Sequence, residues 1–130
     1  MIILVNKKTR SLFCKGKVIS LSRNEFTLFI FMIKSRKARE IDVADLILQV
    51  WEARYKSISA NNISQLFYLL RKKVQIIDPL LNLTYSKSKG VQFFIPKNLV
   101  FITCNEKLYF FLQKKITWFR KFTRRTLFFI

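Results

Sequence analysis

Histidine is absent from the 130 residues, and glycine, proline and cysteine occur only twice each. Without histidine the chain lacks the usual general base of a hydrolytic triad and the imidazole donors of common zinc sites. Cys14 and Cys104 lie far apart in sequence and allow at most one bridge, so no disulfide framework is expected. They read as buried, reduced thiols of a reducing compartment. Acidic residues are also scarce: 7 Asp and Glu stand against 25 Lys and Arg, a formal net charge of +18. Paired carboxylates at a recognisable spacing are missing, as is a glycine-rich phosphate loop, which argues against an enzyme. No cofactor and no metal are expected. No uninterrupted apolar run reaches the roughly 18–20 residues that span a bilayer. In MIILVNKKTR the apolar run precedes the cations, the reverse of a secretory signal, so no signal peptide is expected.

What the chain has in quantity is apolar material and positive charge. Hydrophobic residues make up 51% and aromatics 15%, enough for a packed core rather than a disordered chain. A charge of +18 attracts polyanions, either nucleic acid or an anionic membrane surface, and does not by itself choose between them.

The two glycines mark places where the backbone needs them. IILV (2–5), SLFC (11–14) and KVISL (17–21) read as short strands, the last two joined by a turn at Lys15-Gly16. LSRNEFTLFIFMIK (21–34) reads as a helix with Ser22 as N-cap and Glu25 at capping-box spacing. Its expected buried stripe is Phe26, Phe29, Ile30 and Ile33. A charged linker (35–40) leads to DVADLILQVW (42–51), a second helix started by Asp42 or Val43, with Leu46, Ile47, Val50 and Trp51 on its apolar side.

SANNISQLFYLLRKKV (59–74) reads as a third helix, capped by Ser59 or Asn61 and spanning roughly 24 Å. Ile63, Phe67, Leu70 and Val74 form its buried stripe. Asn62, Gln65, Tyr68, Leu69 and Lys72 fall on the other side. The period then changes. LNLTYS (81–86), KSKG (87–90) and VQFFI (91–95) read as a hairpin whose turn is closed by Gly90.

Two helices, a third with a polar face and a basic hairpin follow the plan of a winged helix-turn-helix, in which the third helix enters the major groove. Asn and Gln can bond adenine edges, and Arg or Lys can meet guanine or phosphate. Asn61, Asn62, Ser64, Gln65 and Tyr68 supply such groups early in the helix. Arg71, Lys72 and Lys73 add phosphate-seeking charge at its end, and Lys87 and Lys89 add it at the hairpin turn beside Gly90.

The segments VISLSRNEFTLFIFMI, DLILQVW, NNISQLFYLLRKKV and KGVQFF follow one another in this order. Together they resemble the DNA-binding domain of OmpR/PhoB-type transcriptional regulators, most closely the ToxR/CadC-like branch. Leu21, Glu25, Phe26, Leu46, Trp51, Leu70, Arg71 and Lys72 stand at positions matching that pattern. The resemblance covers about residues 2–96. Two departures stand out: the family's second wing glycine is replaced in Lys89-Gly90-Val91-Gln92-Phe93, and Tyr68 and Leu69 replace polar or basic residues.

The resemblance implies an α+β fold. It has short antiparallel strands at the N-terminus, three helices and a C-terminal hairpin as wing; an extra C-terminal amphipathic helix is read from the residues beyond the match. Because the resemblance ends near residue 96, the chain is expected to divide into a winged helix-turn-helix DNA-binding domain (1–96) and a basic, aromatic, amphipathic segment (97–130). It implies sequence-specific binding of double-stranded DNA and regulation of bacterial transcription, with no receiver domain and hence no phosphorylation input. RNA polymerase and a second copy of the chain are further candidate partners. The implied location is the cytoplasm.

The C-terminal segment adds an alternative. From Asn105 a helix can place Leu108, Phe111, Leu112, Ile116, Phe119 and Phe122 on one side and Lys114, Arg120, Lys121 and Arg124 away from it. Such a helix, with Trp118, suits an anionic membrane surface, placing the protein at the cytoplasmic face of the inner membrane. It also suits a shortened relative of membrane-anchored regulators, or a helix that completes the core. The alternative function is then a winged-helix scaffold that binds a membrane surface or a protein partner, its DNA readout decayed.

Overall fold

The computed structural model describes residues 1–36, 41–52 and 57–104, together with Phe111 and Lys114. Among the described elements the fold is α+β, with three helices and two sheets of short strands. It divides into two units, Met1–Ser20 with Asn98–Ile130, and Leu21–Lys97.

The first unit is built on a four-stranded sheet. β1 (Ile2–Asn6), β2 (Ser11–Cys14) and β3 (Lys17–Ser20) form an antiparallel meander, with Leu4 opposite Phe13 and Leu12 opposite Ile19. Lys15 and Gly16 have φ of 51° and 77°, the positive pair that a two-residue type I′ hairpin requires. Gly16 therefore serves as its sequence position predicts. The β1–β2 connection closes differently: the buried Asn6 Oδ1 accepts from the amides of Lys8 (3.0 Å) and Thr9 (3.3 Å).

One strand was not expected. The segment Val100–Cys104 pairs in parallel with β1, Ile2 lying opposite Val100 and Asn6 opposite Cys104. The Met1 amino group donates to Asn98 O at 2.9 Å, and Val100 N donates to Met1 O at 2.8 Å. Residues 98–104 group with the N-terminal strands. The helix expected over 105–130 lies outside the described residues, apart from Phe111 and Lys114, which are helical and exposed.

The second unit holds α1 (Arg23–Lys34), α2 (Val43–Trp51), α3 (Ala60–Ile77), β4 (Asn82–Ser86) and β5 (Gly90–Phe94). The last strand among the described residues, Val100–Cys104, is β6. The α1 capping box forms in full: Ser22 Oγ accepts from Glu25 N at 3.2 Å, and Glu25 Oε1 accepts from Ser22 N at 3.1 Å. Asp42 caps α2 through a 2.9 Å bond from Ala44 N.

The buried set of α1 differs from the expected stripe. Leu28, Phe29, Phe31 and Met32 are buried, while Phe26, Ile30 and Ile33 are only half-buried. FTLFIFMI is apolar almost all round, so helical periodicity leaves its inward side undetermined until neighbours pack on it. In α2, Leu46 and Val50 are buried, and Ile47 and Trp51 are half-buried. Among the described residues no helix is long and apolar enough to cross a membrane.

Candidate nucleic-acid interface

α3 is longer than the sequence pattern predicts, running 18 residues to Ile77, or about 27 Å. Its expected stripe is buried, and Leu66 and Ile77 join it. Ser59, not Asn61, is the N-cap. Its Oγ accepts from Asn62 N at 3.3 Å, and Asn62 Oδ1 accepts from Ser59 N at 3.1 Å. Asn62 was a candidate base reader, yet its carbonyl oxygen is engaged in holding the helix start.

Three polar contacts fix α3 to its neighbours. Lys73 Nζ donates to Glu25 Oε1 at 2.9 Å, tying α3 to α1. Arg71 Nη1 donates to Leu83 O at 3.2 Å, and Gln75 Nε2 donates to Leu81 O at 3.1 Å. These last two fix the helix against β4 and its approach. Aromatic packing reinforces them: Phe67 stacks on Phe93 (6.0 Å, 10°) and meets Tyr85 at 5.9 Å. Phe93 in turn meets the edge of Phe31 on α1. Lys73, read from sequence as phosphate-seeking, is therefore a tether of the helix.

Glu25 takes part in two of these arrangements at once. Its side chain is only 6% exposed and that of Lys73 is 37% exposed. Burial pushes the Glu25 carboxyl up, but the hydrogen bonds from Lys73 and Ser22 outweigh it and hold the group below its ordinary value of 4.5. Neither sequence position predicts this pair. The available signal was a lone acid inside an apolar helix, which needs a partner.

The opposite face of α3 is open. At about 100° per residue, Asn61, Asn62, Ser64, Gln65, Tyr68, Leu69, Lys72 and Ile76 share roughly 160° of arc, and all are exposed. Tyr68 lies under two cations, with the Arg71 guanidinium 5.8 Å and the Lys72 ammonium 5.9 Å from its ring centre. Such contacts hold charge in place on the helix surface. Tyr68 thus organises the cationic half of the face. The face also carries Leu69 and Ile76, which the sequence places there but which offer no hydrogen bond.

The β4–β5 hairpin supplies the remaining candidates. Leu83 lies opposite Phe93 and Ser86 opposite Gly90, leaving Lys87, Ser88 and Lys89 exposed in the turn. Ser86 Oγ accepts from Lys89 N at 3.0 Å, and Gly90 closes the turn at φ 73°. A cleft of about 760 Å³ runs beside β5, lined by Arg36, Ile41 and residues 89–95. Among the described residues no carboxylate lines it.

The structure thus brings Asn61, Ser64, Gln65, Tyr68 and Lys72 onto one exposed face and puts Lys87 and Lys89 on the adjoining hairpin. It gives Asn62 and Arg71 structural bonds in addition. No protein-family model matches the chain. No curated protein matches it either.

Proposed function

We propose that the chain is a winged-helix protein that binds double-stranded DNA and regulates transcription, with α3 as recognition helix and the β4–β5 hairpin as wing. One observation carries this reading: α3 is fixed on one side by Phe67, Arg71, Lys73 and Gln75, and opens a polar, cationic face on the other. Asn61, Ser64 and Gln65 are placed to meet base edges. Lys72, Lys87 and Lys89 neutralise phosphates, with Arg71 contributing from its position beside Leu83. Most affinity then comes from phosphates and falls with salt.

The test is a salt titration of binding to a random-sequence duplex. Lys72→Gln combined with Lys87→Gln and Lys89→Gln should make the slope of log affinity against log salt shallower by about three. An unchanged slope rejects the interface. Selection from a random pool should return an altered site preference for Gln65→Ala at nearly unchanged total affinity. The same preference as the unaltered chain removes Gln65 from base readout.

A second reading is favoured by Tyr68, Leu69 and Ile76, large apolar side chains exposed on the same helix face. Together with Lys72 they suit an anionic membrane surface. Flotation with anionic vesicles distinguishes the readings. Loss of vesicle binding in Leu69→Gln/Ile76→Gln, with duplex binding intact, supports the membrane role. Vesicle binding that survives both substitutions rejects it.

A further inference from the structure

We propose, resting on the nucleic-acid reading above, that the β1–β2 turn, residues 7–10, is a second phosphate-contact site, engaging the nucleic-acid backbone through Lys7 and Arg10. The turn lies in the sheet unit, remote in sequence from α3 and its hairpin. Lys7, Lys8, Thr9 and Arg10 are all exposed, three of the four are cationic, and none is acidic. Among the described residues Lys7 and Arg10 have no carboxylate partner.

The turn is held before any ligand arrives. Asn6, buried beneath it, takes the amides of Lys8 and Thr9, and the Thr9 and Ser11 hydroxyls lie 2.7 Å apart. Strand pairing of Asn6 with Ser11 closes its base. A cation on a fixed turn loses less freedom on binding than one on a loose loop.

Its backbone points the same way. Arg10 has φ 53°, the left-handed region where a Cβ is crowded and glycine or asparagine is favoured. At Gly16 and Gly90 the chain meets the same need with glycine, while Lys15 and Glu52 take a positive φ with charged side chains. Glycine at position 10 would relieve the backbone at the cost of the guanidinium. Arginine there supplies a planar fork suited to a phosphodiester. The turn exposes no apolar side chain, and a membrane-surface site needs one beside its charge. With no recognition element entering a groove, it adds affinity and no sequence readout.

The test uses the whole 130-residue chain. Duplex affinity is titrated from low to moderate salt for the unaltered protein and for Lys7→Gln/Arg10→Gly. The variant slope should be shallower by about two, with a melting temperature equal to or above that of the parent. Lys7→Gln/Arg10→Asn, which keeps a side chain tolerant of the left-handed region, should give the same slope. Lys34→Gln/Lys97→Gln removes equal charge from other exposed positions and should change the slope less; an equal change overturns the site. A full parental slope with an unchanged variant slope also overturns it, while the DNA reading stands. Absence of salt-dependent binding in the unaltered chain overturns both. Loss of anionic-vesicle binding alone in the variant reassigns the turn to lipid and overturns the proposal as stated.

Discussion

Replacing Phe67 by alanine should lower the free energy of unfolding by about 3–5 kcal/mol. The ring is 1% exposed and touches the rings of Phe93 and Tyr85, and Phe93 reaches Phe31. Truncation removes the apolar surface that joins α3, the hairpin and α1, and leaves a void that rigid neighbours refill only in part. Urea unfolding followed by far-ultraviolet circular dichroism gives the value. Phe67→Leu, which keeps most of the volume, should lose clearly less. A loss below about 1 kcal/mol for the alanine variant would show that the core closes around the gap without the ring. Under the proposed function, duplex binding by whatever fraction stays folded should weaken too, because the ring sets the helix against the wing.

The second large effect concerns Lys73. Lys73→Ala should destabilise the protein by about 1–3 kcal/mol at neutral pH, because Glu25 keeps its charge in a nearly buried position and loses its cationic partner, keeping the Ser22 hydrogen bonds. The lower end of that range reflects the partial exposure of the ammonium. Glu25 Oε2 is already buried without a hydrogen-bond partner, so the site has little slack.

The pH dependence follows from the direction of the shift. In the unaltered protein Glu25 is held below 4.5, so its contribution is present above that value and lost as pH falls through the lowered one. Without Lys73, burial dominates and the carboxyl rises. The gap between the two proteins should therefore be widest near neutrality and close as pH falls below about 4.5, where both carboxyls take up protons. Glu25→Gln preserves the capping box and should make Lys73→Ala nearly silent. A gap that stays constant from pH 7 to pH 4 would assign Lys73 to packing by its stem instead.

The features legible in the sequence were those set within a few residues. Ser22 and Glu25 announce a capping box because both partners lie on one turn. Gly16 and Gly90 mark hairpins because only glycine fits the left-handed backbone at no steric cost. The stripe on α3 was readable because its polar residues interrupt it at helical spacing. The inward side of α1 was not, since apolar residues surround that helix.

Contacts made by distant partners left no local trace. Nothing near Lys73 predicts that Glu25 would meet it, and nothing near Arg71 points to Leu83 O. Of the candidate interface, the exposed face and the basic hairpin turn were visible from patterning. The second duties of Asn62 and Arg71 were not, because each depends on a neighbour that folding supplies.

The pairing of β6 with β1 has a consequence for how the chain assembles as it is synthesised. The helices and their hairpin occupy one continuous stretch, Leu21–Lys97, whose contacts can form once that stretch has emerged. The sheet is different: β1 is made well before its parallel partner, which comes only with Val100–Cys104. Until then one edge of β1, Ile2–Asn6, presents unpaired backbone groups beside a run of apolar side chains, a template for other nascent strands. Parallel pairing across so long a loop is slow to close. The vulnerable interval thus runs from the synthesis of β1 to that of Val100–Cys104, and a chain ended before Val100 would carry that open edge permanently.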